Sequence, residues 1–476
     1  MQIFEFISHV IFVLVIGYYV ISALQWYSYK LERVVFHYKR YDWHLFFFII
    51  PIFVYYLAGT FFWIYLYLIL MPTIYLWYKK LDKKLIVTAR VKRFFVFLFL
   101  ATIFQNILCI SIDKCYAFGV ILPIFATIFL SMLFEKILFE GYKKSAKKKL
   151  ESKKDLIIIA ITASFGKTSI KNYLYQILST KYNCYMTPRS VNTLGGIIKD
   201  INDDLPDDAE IYIVEAGARL RGDINDITTL VNHHYAIVGK IGEQHIEYFK
   251  SLENIRNTKM ELLNSNRLQK AFVHESANIK PDDKTIKFGK ELKNINSTLE
   301  GLYFDVALDG KLENFFTPLL GEFNAMNLLA CIHVAKSKMS SEEIKKAIAN
   351  LKGVEHRLQR IDAGGKLIID DSFNGNFEGM SASYDLAATY EGRKVIITPG
   401  IVESTDEANE NLAKKIDDIF DVVILTGKSN LEILSKNIIK AEKIVVNDKR
   451  KIEDVLKEFT LKGDLILFSN DTPSFM

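Results

Sequence analysis

The chain has 476 residues, half of them hydrophobic and 13% aromatic, and its 60 lysines and arginines against 55 acidic residues leave a net charge of +5. That length admits two or three domains, and the charge is too small to mark a nucleic-acid protein: the lysines sit beside apolar blocks or on ordinary helix faces and form no basic-aromatic groove. The four cysteines, Cys109, Cys115, Cys184 and Cys331, lack metal-ligand spacing; Cys109 and Cys115 flank a short loop and can in principle pair, and reduced thiols are the expectation otherwise.

Apolar blocks run from Ile3 to Leu24, His44 to Tyr78, Phe94 to Ile112 and Ala117 to Phe139. The first lacks a basic n-region and a small-residue cleavage site, so it reads as a retained anchor and not a signal peptide. The second is long for one helix and slightly short for two, and Ala58-Gly59 near its middle offers a turn. Basic clusters follow the first block (Lys30, Arg33, Lys39, Arg40), the second (Lys79 to Arg93) and the last (Lys143 to Lys149). All three face the cytoplasm only if the second block crosses twice. Residues 1–142 are therefore expected to be a membrane region with about five transmembrane helices and the N-terminus outside. No charge stands in the centre of a block to argue for more than anchoring and contact with membrane lipid. A basic cytoplasmic linker, 143–154, follows.

From Leu156 onward strand-like runs alternate with helical periodicity: Ile211 to Glu215, Tyr235 to Gly239 and Ala271 to His274, helices near Asn324 to Lys336 and Ser340 to Leu351, then strands from Leu367, Lys394, Val422, Lys443 and Leu465. Such alternation predicts parallel sheets covered by helices. The fold class expected is an α-helical membrane region followed by α/β, with a P-loop-type central parallel-sheet domain over 155–353 and a smaller Rossmann-like C-terminal domain over 354–476.

The first strand runs through a tight turn into a helix opening with Gly166-Lys167-Thr168. Such a turn aims backbone N–H groups at a nucleotide phosphate, Lys167 supplies positive charge, and the Thr168 hydroxyl suits Mg²⁺. The strict phosphate-loop pattern fails, because its first glycine would fall at Ile161 and the nearest upstream small residue is Ala163. Ligands of open α/β sheets sit where strands end. Glu215 ends one strand, His245 follows another, and Lys259 lies on the next helix. Glu215 and His245 suit Mg²⁺ beside Thr168; singly, each of the three has an ordinary structural role as a cap, a packed ring or a solvated charge.

In their joint order these residues resemble the Mur ligases, the ATP-dependent amide-forming enzymes of peptidoglycan assembly. Thr162-Ala163-Ser164-Phe165-Gly166-Lys167-Thr168-Ser169 looks like the family's shortened phosphate loop, and Val214-Glu215-Ala216-Gly217-Ala218 like its first metal motif. His245 and Lys259, with Ser251-Leu252-Glu253-Asn254-Ile255 between them, are similar to the MurF branch. Gly321 to Asn327 resembles the adenine-contacting stretch, which implies roles for Asn324 and Asn327, although Phe323 stands where a histidine is common. His356-Arg357-Leu358-Gln359 resembles the segment carrying a phosphate-contacting arginine. Asp370-Asp371-Ser372-Phe373-Asn374-Gly375-Asn376 resembles a MurF-branch motif, implying that Asp371 contacts nucleotide and that Ser372, Asn374 and Asn376 shape the acceptor side. Asn192-Thr193 looks like the contact to a muramyl-peptide.

The resemblance implies ATP and Mg²⁺ held by Thr168, Glu215, His245 and a carbamylated Lys259. It further implies catalytic roles for Lys167, Lys259 and Arg357, and nucleotide contacts from Ser164, Gly166, Lys167, Thr168, Ser169, Arg357 and Asp371. The implied activity is addition of D-Ala-D-Ala to a muramyl-tripeptide through an acyl phosphate, at the inner face of a bacterial membrane, with other cell-wall enzymes as partners. A membrane-tethered ligase acting on poly-γ-glutamate or a lipid-linked carboxylate, and a non-catalytic nucleotide-binding scaffold, are the alternatives. One departure stands out: where the family places an α/β domain that grips the uridine nucleotide, this sequence has apolar blocks.

Overall fold

A computed structural model describes all residues except 1, 28, 37–39, 82, 113–118, 244–245, 374, 376, 403, 428–429, 447, 449–450 and 471–476. His245, Asn374, Asn376 and Cys115 therefore lie outside the described residues. Two compact units divide the chain, Met1–Tyr142 and Lys143–Met476.

The first unit is helical. Among the described residues four helices are long and apolar enough to cross a membrane: Ile3–Trp26, Gly59–Lys80, Ala89–Cys109 and Ile121–Ser152. The long second block breaks at Ala58-Gly59, and its first part, Tyr41–Leu57, is a shorter apolar helix. Large apolar side chains such as Phe53, Phe61, Leu68, Phe104 and Phe129 are exposed, while Phe12, Val13 and Ile16 of the first helix are fully buried. Glu135, inside the fourth apolar block, is paired with Arg93 at 2.7 Å, so that block does carry a charged group, satisfied by a neighbouring helix.

In the second unit a six-stranded parallel sheet has the order β2-β3-β1-β4-β5-β6. Its strands are β1 (Ile157–Thr162), β2 (Cys184–Met186), β3 (Ile211–Glu215), β4 (Tyr235–Val238), β5 (Lys270–His274) and β6 (Thr285–Phe288). The continuous β-branched runs Ile-Ile-Ile-Ala-Ile-Thr and Ile-Tyr-Ile-Val-Glu belong to strands buried on both faces, and every residue of β3 and β4 is buried. Helices Lys167–Leu178 and Phe323–Ala335 pack on it, closing a core that includes Ile159, Leu174, Ile213 and Leu328.

Sequence periodicity did not anticipate the antiparallel sheet of β7 (Leu292–Thr298), β8 (Gly301–Leu308) and β9 (Lys311–Thr317). The signal was present: Asp309-Gly310, both at positive φ, is a two-residue hairpin turn between alternating strands. A second six-stranded sheet, β10-β11-β15-β12-β13-β14, comprises β10 (Gln359–Ala363), β11 (Lys366–Asp371), β12 (Lys394–Thr398), β13 (Val422–Thr426), β14 (Glu442–Val446) and β15 (Leu465–Ser469). Only β10 runs antiparallel to its neighbour.

Candidate active site

Parallel register brings the ends of β1 and β3 together: Ile161 is opposite Glu215, Ala216 N donates to Ile161 O at 2.8 Å, and Thr162 Oγ1 donates to Ala216 O at 2.8 Å. The loop leaving β1 thus turns beside the Glu215 carboxylate. Ser164 ties that loop to the segment after β4, its N donating to Lys240 O at 2.9 Å and its Oγ bonded with both Gly242 O (2.9 Å) and Gly242 N (3.0 Å). Ala163, in place of a loop glycine, finds room because a Cβ on Gly239 opposite would lie 2.9 Å from its methyl group. Ser169 is buried within the first turn of the helix.

Gly166 caps that helix at φ +82, and a Cβ there would come within 2.4 Å of Asn327 Oδ1. Asn327 Nδ2 donates to Asn324 Oδ1 at 3.0 Å, which also receives Tyr173 OH at 3.2 Å. The two asparagines therefore brace the loop from the Phe323–Ala335 helix. Gly166→Ala is expected to destabilise the domain by about 1–3 kcal/mol through the left-handed backbone alone. It should also weaken ADP binding, as unfolding curves and calorimetric titration would show; wild-type values in both would refute the bracing.

Lys167 Nζ folds back on the loop and donates to Ala163 O (2.7 Å) and Ser164 O (3.0 Å). Glu215, 1% exposed, accepts Asn192 Nδ2 on Oε1 at 3.0 Å, while its Oε2 faces Lys171 Nζ at 3.2 Å with no well-aligned hydrogen bond among the described residues. Lys171 is itself fully buried and also donates to Arg189 O. Sequence reasoning missed Lys171, which follows Lys167 by one helical turn and so shares its face. Thr193 caps the Leu194–Asp203 helix, accepting Gly196 N at 3.3 Å, and is exposed.

Lys259 is buried on the Leu252–Met260 helix. Burial, with repulsion from Lys167, holds its amine down to about 7 against the pull of Glu215 and Asp223. Burial likewise brings Lys167 to about 8, opposed by Glu215 and assisted by Arg357. Among the described residues no three His, Cys, Asp or Glu side chains cluster to hold a metal ion. The spare lone pairs of Glu215 Oε2 are nevertheless the donor chemistry a hard divalent cation takes.

At the joint with the second sheet, Arg357 lies between two residues in left-handed backbone, His356 (φ +61) and Leu358 (φ +50). The end of β11 staples this turn. His356 Nδ1 lies 2.7 Å from Asp370 Oδ2, Asp370 Oδ1 receives Ser372 N and Oγ, Asp371 Oδ1 accepts Leu358 N at 3.1 Å, and Phe373 N donates to His356 O at 3.0 Å. Arg357 lines a cleft of about 360 Å³ with Tyr173, Leu320, Asn324 and Gln359. Another cleft of about 420 Å³, around Gly365 and Tyr390 at the far end of β11, holds none of the candidate residues.

The profile of the Mur ligase middle domain matches residues 161–335, the segment containing this loop, Glu215 and Lys259. The UDP-N-acetylmuramoyl-tripeptide–D-alanyl-D-alanine ligase of Bacillus subtilis is 28% identical over 340 residues, 65% of this chain and 72% of that protein. Its Escherichia coli counterpart is 27% identical, covering 52% of this chain and 58% of its own length.

The chain is similar to the Mur ligases in its middle domain and in fold.

Solved structures agree in fold. MurF from Thermotoga maritima in complex with ADP superposes with a TM-score of 0.59 at 24% identity, covering 70% of this chain and 80% of that one. A D-alanyl-D-alanyl ligase from Acinetobacter baumannii gives 0.62 at 22%, covering 69% and 76%.

The two depressed lysines make the stability of this domain pH-dependent. Unfolded, each amine recovers its ordinary value of 10.5, so the unfolded chain binds more protons. The penalty for burying both charges is complete below about pH 7 and fades as pH rises toward the unfolded value. Without nucleotide, the unfolding midpoint is expected to climb between about pH 7 and about pH 9, less steeply in Lys259→Met. Identical flat profiles for both proteins would contradict the assignment.

Proposed function

We propose that this chain joins D-Ala-D-Ala to a muramyl-tripeptide with hydrolysis of ATP to ADP and phosphate. The observation that carries the reading is the convergence of Lys167, Lys171 and Lys259 on Glu215 at the strand ends of the middle domain. A substrate carboxylate must approach a nucleotide triphosphate, and bringing two anions together is the difficulty such a basic, water-poor site relieves. Carboxylate oxygen attacks the γ-phosphorus, the bond to the β-bridging oxygen breaks, and ADP leaves with that electron pair. The incoming amine then attacks the acyl carbon, phosphate departs, and the amine loses its proton.

Lys167 would leave its loop carbonyls for the phosphates, and Arg357, presented by its stapled turn, would meet them from the other sheet. The Gly166 and Ser169 N–H groups, Ser164, Asn324, Asn327 and Asp371 form the remainder of the nucleotide side. Asn192, Thr193 and Ser372, with Asn374 and Asn376, form the acceptor side. When bound, Mg²⁺ held by Thr168, Glu215 and His245 supplies charge neutralisation at the phosphates. A lysine whose amine is half neutral near pH 7 attacks CO₂ readily; the resulting N–C bond and lost proton convert Lys259 into an anionic carbamate suited to a second cation. The apolar helices would anchor the ligase to a membrane with this site on the cytoplasmic side, where ATP is.

The test is ADP release by the detergent-purified chain with ATP, Mg²⁺, UDP-muramyl-tripeptide and D-Ala-D-Ala, with product mass measured. Ligation requiring both substrates is expected. ATP binding or turnover without product would reject this substrate pair and leave a lipid-linked or polymeric carboxylate as the acceptor.

A further inference from the structure

Three arginines lie on the loops that carry and adjoin Asn192 and Thr193, without a described partner. Arg189 lies between β2 and the Leu194–Asp203 helix; Arg219 and Arg221 lie in the loop that follows β3. The two loops touch, since Gly217 N donates to Asn192 O at 2.8 Å and Asn192 reaches back to Glu215. All three side chains are exposed, and among the described residues none of the guanidinium groups has an ion-pair or hydrogen-bond partner. Elsewhere Arg93, Arg360 and Arg393 each pair with a carboxylate.

The backbone beneath them is held firmly. Arg189 adopts φ +47, a strained conformation for an arginine, and the buried Lys171 donates to its carbonyl. Asp223 Oδ2 receives the N–H groups of Arg219 and Leu220, both at 2.9 Å, so the nearby carboxylate serves the loop backbone. Fixed loops, free guanidinium groups and a position at strand ends beside the candidate reaction centre describe a preorganised receptor for oxyanions. No described strand precedes Ile157, so residues 1–142 offer no α/β domain to neutralise a substrate diphosphate.

We propose that Arg189, Arg219 and Arg221 form an oxyanion-binding rim that recognises the muramyl substrate through its diphosphate or its peptide carboxylates. The proposal rests on the ligase reading above. Bidentate guanidinium contacts to either group hold the substrate while its reacting carboxyl faces the nucleotide.

The experiment is steady-state kinetics of the full-length chain in detergent, comparing wild type, Arg189→Gly, and the triple variant Arg189→Gly/Arg219→Gln/Arg221→Gln. The substrates are UDP-muramyl-tripeptide and the same muramyl-tripeptide without its nucleotide diphosphate. KM for UDP-muramyl-tripeptide is expected to rise roughly tenfold in Arg189→Gly and further in the triple variant, while KM for ATP and D-Ala-D-Ala holds within about twofold. Glycine accepts φ +47 freely, so the Arg189→Gly unfolding midpoint should not fall. A defect that vanishes with the diphosphate-free substrate identifies the diphosphate as the ligand; one that persists identifies the peptide carboxylates. An unchanged muramyl KM in an active triple variant, or a matching rise in KM for ATP, overturns the rim and leaves the ligase reading intact. Absence of ligation by wild type refutes the ligase reading, and the rim falls with it.

Discussion

Lys259→Ala is expected to lose about a hundredfold to a thousandfold in kcat, the range found when one preorganised charge is taken from a reaction centre. Lys259 is buried, and its amine is pushed down to about 7 by burial and by Lys167. A cation there would repel Lys167 and waste the site; a carbamate would reverse the sign. The alanine variant cannot carry CO₂, so added bicarbonate should not restore it, whereas wild type depleted of CO₂ should recover on bicarbonate addition. The neutral amine fraction grows as pH rises through about 7, so that recovery should be faster at pH 8 than at pH 6. Near wild-type ligation by Lys259→Ala would eliminate the carbamate.

Lys171→Met should have the largest effect on stability. Lys171 and Glu215 are 0% and 1% exposed at 3.2 Å, and removing Lys171 takes from the buried carboxylate the cation in contact with it, leaving the pull of Lys167 and Lys259. The expected loss is about 3–5 kcal/mol, read from denaturant unfolding without nucleotide. The double variant Lys171→Met/Glu215→Leu removes both charges and should recover part of that loss, because an apolar pair of similar volume avoids the desolvation penalty while Lys167 and Lys259 lose the carboxylate's pull. It should nonetheless fail to ligate, having lost the carboxylate. Equal stability of the single variant and wild type would mean that Glu215 does not depend on Lys171.

Much of this was legible from the chain alone. Apolar blocks located the helical unit, and Ala58-Gly59 marked the break between Tyr41–Leu57 and Gly59–Lys80. Continuous apolar runs marked β1, β3 and β12, because strands buried on both faces leave few alternatives to continuous β-branched residues. Gly166-Lys167-Thr168 marked the turn from β1 into the Lys167–Leu178 helix by local geometry, which depends only on neighbouring residues. The small antiparallel sheet escaped notice because β7 is mostly exposed and carries little apolar signal.

What sequence by itself determined was therefore the local chemistry: a left-handed glycine before a helix, a carboxylate ending a strand, a lysine on the helix beyond. Which charges meet was decided by tertiary structure. A helical lysine usually extends to water, and nothing near Lys171 in the chain says that it is buried against Glu215; parallel pairing of β1 with β3 does that. Likewise Arg357 is held between two left-handed residues only because the end of β11 folds back to supply Asp370 and Asp371. Electrostatic energy depends on distance and burial, and both are set by sheet register and packing between residues far apart in the chain.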